Sequence, residues 1–267
     1  MARNTPTGPP PPPPVQKLRL RYTKRGRLRF TSHRDIARAF ERALRRAAVP
    51  MAYSAGFSPH PKISWVGAAP TGVASEAEYV EISVAERVDL ERLRAALDES
   101  LPAGIDITEV VEAPVGSSLP DRIQASHWGI RLRGVELDAA LQAVSAFLTA
   151  ESVVVERLMK DGKRLLDARA AVVAMSASAT DGDRSCATLD VVVRHVTPAV
   201  RPDDVLSGLR IVADLVPPVP PEATRYAQGP LTESGGVGDP LAPDRLHADG
   251  ATRAAAGLEQ EASGAPT

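Results

Sequence analysis

Residues 17–50 read KLRLRYTKRGRLRFTSHRDIARAFERALRRAAVP, and this stretch decides the fold. Leu18, Leu20 and Tyr22 alternate with Arg19 and Arg21, the period-two pattern of a half-buried strand. Lys24-Arg25-Gly26 predicts a turn, after which Leu28 and Phe30 resume the strand to Thr31. Ser32 with Asp35 three residues on is a helix start, since the hydroxyl and carboxylate can satisfy free N–H groups there. Ile36, Ala37, Phe40, Ala43, Leu44 and Ala47 then recur at helical spacing, up to Val49-Pro50.

The pattern continues outward. Lys62 to Gly67 and Glu78 to Val84 predict strands, Leu90 to Leu101 an amphipathic helix, and Ile105 to Val111 a closing strand. Strand, helix, strand, strand, helix, strand is the split βαβ, or ferredoxin-like, order. A second round follows with a strand at Trp128 to Leu132 and a helix at Leu137 to Leu148. A hairpin of Val153 to Met159 and Leu165 to Val173 turns at Lys160-Asp161-Gly162, where Asp-Gly is a tight-turn signal. A strand at Leu189 to Val193 and a short helix at Pro202 to Leu209 complete it, while the prolines of residues 211–226 leave that stretch unassigned.

The expected fold class is therefore α+β, two tandem ferredoxin-like units at residues 17–115 and 126–226. Residues 1–16, with the run Pro9 to Pro14, favour polyproline II and are expected to form a disordered tail. Residues 229–267, rich in Gly, Ala, Pro, Ser and acidic residues, are expected to form another.

Of 267 residues, 43% are hydrophobic but only 4% aromatic, so Ala, Val and Leu carry the core. The single cysteine, Cys186, excludes an internal disulfide and any zinc or iron–sulfur site built on cysteines within the chain. No signal sequence follows Met1 and no apolar run reaches the roughly 20 residues a membrane helix needs, so a cytoplasmic chain without membrane contact is expected.

Charge is the functional signal. Lys17 to Lys62 holds thirteen basic residues against Asp35 and Glu41, in a chain whose formal net charge is -1. Cations gathered in this way point to a polyanion, and phosphate of RNA is the expected partner. Arg34, Arg38, Arg42, Arg45 and Arg46 fall largely off the apolar side of the helix, and Arg19, Arg21, Arg27 and Arg29 add to them along the strand. Solvated charge on a helix face explains the same arginines without any ligand. Lys160, Lys163, Arg164 and Arg169 around Asp167 form a second basic cluster, either a second phosphate contact or a polar hairpin tip with Asp167 pairing an arginine.

The loop Gly56-Phe57-Ser58-Pro59-His60-Pro61-Lys62 fixes an imidazole between two prolines. His33, Phe57, His60 and Lys62 are the expected lining of a specific site, and an imidazole there is the side-chain type suited to acid–base work near neutral pH. No third ligand accompanies His33 and His60, so a metal site is not expected. Walker, dinucleotide-binding, nucleophile-elbow and zincin signatures are absent. An accessory RNA-binding protein, an RNA-processing or modifying enzyme using His33 or His60, and an adaptor for an acidic protein all remain open.

The stretches 30–35, 42–46 and 56–62, continued by Pro70, Gly72, Ser75, Glu78 and Tyr79, resemble the radical-SAM-linked protein family, a bacterial domain of unknown function. Val155 to Arg169, with Lys160, Gly162, Lys163 and Asp167, is similar to that family's second block, so the resemblance spans about residues 17–226. It implies a radical SAM enzyme as partner. That partner would hold the iron–sulfur cluster and S-adenosylmethionine, with no cofactor in this chain. Family members tend to be encoded beside ribonuclease E/G-type enzymes and ribosomal proteins, which implies RNA, tRNA or rRNA, as the molecule presented.

Overall fold

A computed structural model describes residues 11–159, 162–180 and 183–248. The first half runs β1 (Gln16–Lys24), α1 (His33–Arg46), β2 (Ile63–Val66), β3 (Ala74–Val84), α2 (Leu90–Ser100) and β4 (Ile107–Glu112). The second runs β5 (Ala125–Arg133), α3 (Leu137–Thr149), β6 (Val154–Met159), β7 (Gly162–Asp167), the single turn α4 (Ala168–Ala171), β8 (Val172–Thr180), β9 (Asp183–Arg194), α5 (Pro202–Ala213) and β10 (Glu222–Gly229).

The strands form a mixed sheet of eight in the order β4-β1-β3-β10-β5-β9-β8, with β2 also on β3, while β6 and β7 form a separate hairpin. Each half places its last strand beside its first and its third between first and second, all antiparallel. The halves join where β10 pairs parallel with the start of β3, Thr224 opposite Ala74 and Arg225 opposite Ser75. β3 is long enough to pair β10 at one end and β2, at Tyr79 to Ile82, at the other. Arg225 secures this seam: it is buried, bonds Ser75 and Glu78, and lies 5.3 Å over the Trp128 ring. Lys24, also buried, donates to the Pro70 carbonyl at 3.2 Å, and burial pushes its pKa down.

Two cores lie under the helices. Leu18, Leu20, Val80 and Ile82 meet Ile36, Phe40 and Leu44 of α1 and Leu93 and Leu97 of α2. Trp128, Ile130, Leu132, Leu189 and Val191 meet Phe147 of α3 and Val205 and Leu209 of α5. Gly208 lets those two helices close, since a Cβ there would stand 2.6 Å from the Phe147 ring. The reverse face of the first half is covered too: Tyr79 and Val111 pack under Leu119, Ile123 and Leu241.

Several boundaries differ from the sequence reading: β3, β5 and β9 begin three to six residues earlier than expected, and β8 runs on to Thr180, beyond the expected Val173. Gly26–Phe30 is a 3-10 turn, not a resumed strand; Leu28 reaches the core while Phe30 is exposed. The stretch 165–173 divides into the end of β7, the α4 turn and the start of β8. β10 emerges from the unassigned proline-rich stretch. Residues 230–248 fall within the expected C-terminal tail, yet Leu241 and Asp244 are fully buried and 242–248 are helical, so the packed chain continues past the expected boundary at Gly229. Residues 1–10 and 249–267 of the expected tails lie outside the described residues. Among the described residues no helix is long and apolar enough to cross a membrane.

Candidate nucleic-acid interface

α1 begins as its sequence dictates: Ser32 Oγ accepts from the Asp35 N–H at 3.2 Å and donates to the Asp35 carboxylate at 2.7 Å. Phe40, Ala43 and Leu44 hold its inner side on the sheet. Phe40 also packs edge-on against Tyr22 at 4.8 Å and Trp65 at 5.1 Å, which fixes the helix in rotation. The opposite side then presents Arg34, Arg38, Arg42 and Arg45 as one exposed stripe, with Arg46 beside Arg42. At about 1.5 Å per residue the stripe is about 16 Å long, room for several phosphates of one strand. Arg38 pairs loosely with Asp35 at 3.5 Å; among the described residues Arg34, Arg42, Arg45 and Arg46 form no ion pair. Arg45 and Arg46 also oppose the negative end of the helix dipole, which favours cations there independently of any ligand.

The loop after α1 is a closed finger. Tyr53 bridges Pro61, the Ser54 N–H donates to the His60 carbonyl at 2.9 Å, and the His60 N–H donates to Ser54 Oγ at 3.0 Å. Phe57 stands at its tip, 68% exposed. Between finger and helix lies a cleft of about 280 Å³ lined by Glu41, Arg45, Met51, Tyr53 and His60. The structure thus brings His60 to the end of the arginine stripe. Tyr53 and Glu41 join it unannounced by sequence, though Met51-Ala52-Tyr53 carries a faint strand alternation that could have flagged Tyr53.

Other expected site residues separate. His33 sits at the far end of α1, exposed, its ring edge-on to Trp65 at 5.1 Å. Lys62 lines a different depression of about 230 Å³ with Lys17, Ser64 and Glu81. Among the described residues no three His, Cys, Asp or Glu gather as a metal site. Lys163 is exposed and pairs with Glu156 at 2.8 Å, and Arg164 is exposed opposite Arg157; Lys160 lies outside the described residues. Arg169 donates to the Leu148 and Val172 carbonyls, and Asp167 caps α4 instead of pairing an arginine.

Of the arginines expected along the strand, Arg27 is exposed on the 3-10 turn, while Arg19, Arg21 and Arg29 are engaged within the fold. Arg19 is wholly buried, bonded to Glu81, Asp244 and Ser117, because its face of the sheet is covered. Arg21 donates to the Glu76 carbonyl at 3.1 Å, and Arg29 sits 3.7 Å from Glu222.

Residues 17–202 match the family described as an uncharacterized protein conserved in bacteria (DUF2344). The chain belongs to this family. The DUF2344 match takes in α1, the finger and the β6–β7 hairpin, and stops before β10 and residues 230–248. No curated protein matches the chain. A solved structure, the encapsulated DyP-type peroxidase from Mycobacterium smegmatis, aligns over 83% of this chain and 94% of that chain at 11% identity with a TM-score of 0.19, and at that score carries no argument.

Proposed function

We propose that this DUF2344 chain binds RNA along α1 and presents it to a radical SAM enzyme acting in trans. The observation that carries the RNA reading is the exposed stripe of Arg34, Arg38, Arg42 and Arg45, with Arg46, on a helix whose other side is locked into the core. Its length matches a run of phosphates, and guanidinium forks suit phosphate oxygens. The cleft of Arg45, Tyr53 and His60 at its end offers a ring, an imidazole and a cation to whatever group emerges from the bound backbone. Lys62, Lys163 and Arg164 are secondary contacts in this reading.

The radical SAM partner rests on the resemblance of stretches 30–35, 42–46 and 56–62 to the radical-SAM-linked family. Iron–sulfur cluster and S-adenosylmethionine belong to that partner. We likewise read the two halves as tandem ferredoxin-like units, supported by the strand order each repeats. Nuclease-treated co-purification with a radical SAM enzyme tests the partnership; complexes that dissolve with the RNA argue against direct contact.

Competition tests the RNA reading. Labelled tRNA bound to the chain is challenged with unlabelled tRNA or with poly-glutamate. Displacement by tRNA alone supports the proposal. Equal displacement by poly-glutamate sinks it and leaves an acidic protein as the ligand.

A further inference from the structure

In β5, Trp128, Ile130 and Leu132 enter the core, so strand alternation turns His127, Gly129 and Arg131 to the opposite face. Leu189 and Val191 of β9 likewise leave Thr188 and Asp190 on that face, and β10 adds Thr224, opposite Gly129, and Tyr226. There the Tyr226 ring covers the bare backbone of Gly129: a Cβ on that glycine would lie 2.4 Å from Tyr226 Cε2 and 2.6 Å from its hydroxyl oxygen. The His127 ring meets Tyr226 edge-on at 5.4 Å, and its Nε2 lies 2.7 Å from Asp190 Oδ1. Asp190 therefore orients His127, which flanks the tyrosine. Tyr226 is nonetheless 44% exposed and the Asp190 side chain 50%.

An aromatic ring seated on a glycine, flanked by an oriented imidazole and open outward, is a preorganised π-surface. Its surroundings are Thr188, Thr224, Arg131 and Asp190, polar groups instead of the apolar rim that a protein helix would bury against. Flat, polar-edged rings fit this setting, and a sheet that carries solvent-facing aromatics is a general stacking platform for unpaired bases.

We propose that this face of the second half binds single-stranded RNA, Tyr226 stacking one base and His127, aligned by Asp190, contacting its neighbour. The proposal rests on the reading of the chain as an RNA binder but on none of the α1 residues.

The test uses the full chain, a labelled octauridine and an abasic oligomer of equal length and charge, read by anisotropy. Wild type is expected to bind the base-bearing oligomer about tenfold tighter, the scale of one stacked base. Tyr226→Leu removes that preference, Tyr226→Phe keeps it, and Gly129→Ala, which pushes the ring off its seat, reduces it; salt dependence is unchanged in all three. Melting curves confirm that each variant is folded, and Gly129→Ala decides the matter if Tyr226→Leu is not. Equal binding of both oligomers by wild type, or a preference that survives Tyr226→Leu, overturns the platform while leaving the α1 reading intact. Binding of neither oligomer overturns the platform, and the α1 reading then stands or falls on tRNA binding alone. A base preference that persists when Arg42, Arg45 and Arg46 are neutralised without any loss of affinity supports the platform and refutes the α1 reading.

Discussion

Arg19 and Asp244 are 225 positions apart and form an ion pair in which Arg19 Nη1 donates to both carboxylate oxygens, at 2.7 and 2.8 Å, with both side chains fully buried. Arg122 adds a third bond to the same carboxylate at 2.9 Å, and Glu81 holds Arg19 Nε at 2.9 Å. The pair ties the C-terminal segment onto the back of the first half, over Tyr79 and beside Leu241.

Breaking that pair leaves a guanidinium in the interior with one carboxylate fewer. Asp244→Asn is expected to destabilise the fold by about 3–5 kcal/mol, the range for a buried pair losing one partner. Urea unfolding reads this directly. A loss under about 1 kcal/mol, the scale of exposed pairs, would show that the segment is not fixed as described.

Helix α1 carries the proposed interface, so its start is a second point of test. Ser32→Ala removes the hydroxyl that serves Asp35 and is expected to lower stability by about 1 kcal/mol. A circular-dichroism melt measures it, and an unchanged midpoint would contradict the cap.

His195 provides a pH dependence. Its Nδ1 donates to the Ile123 carbonyl at 3.0 Å and its Nε2 accepts from Ser126 Oγ at 2.8 Å, a neutral ring with both nitrogens engaged. Burial holds its pKa below the ordinary histidine value, and Arg225 pushes the same way, against the Ile123 bond. With the folded pKa depressed, the unfolded chain binds the extra proton. The contribution is therefore fully present above about pH 6.5 and declines as pH falls toward the folded pKa. Urea midpoints between pH 7.5 and 5.5 should drop more for wild type than for His195→Gln. Parallel drops would refute the assignment.

Periodicity made much of the fold legible. Leu18, Leu20 and Tyr22 mark β1, and Ser32 with Asp35 marks the start of α1. β10 was hidden because Pro217, Pro218, Pro220 and Pro221 crowd its approach and because its Arg225 and Gln228, buried at the seam, read as surface residues. Arg19 misled for a related reason: alternation identifies the face turned from the helices but cannot say that Leu241 and Asp244, two hundred residues on, will cover it. The finger and the stripe were visible because each is local in sequence. Tyr226 and His127 were not, since a platform made from β5 and β10 exists only once those strands pair around Gly129.

The central claim is that the α1 arginines hold phosphate. Anisotropy of labelled tRNA across a salt series, wild type against the triple variant Arg42→Gln, Arg45→Gln and Arg46→Gln, tests it most directly. These side chains are exposed and, among the described residues, outside any ion pair, so stability should hold within about 0.5 kcal/mol. The account predicts weaker binding and a log–log salt slope shallower by about 2–3, close to one unit for each phosphate no longer neutralised. An unchanged affinity and slope would contradict it.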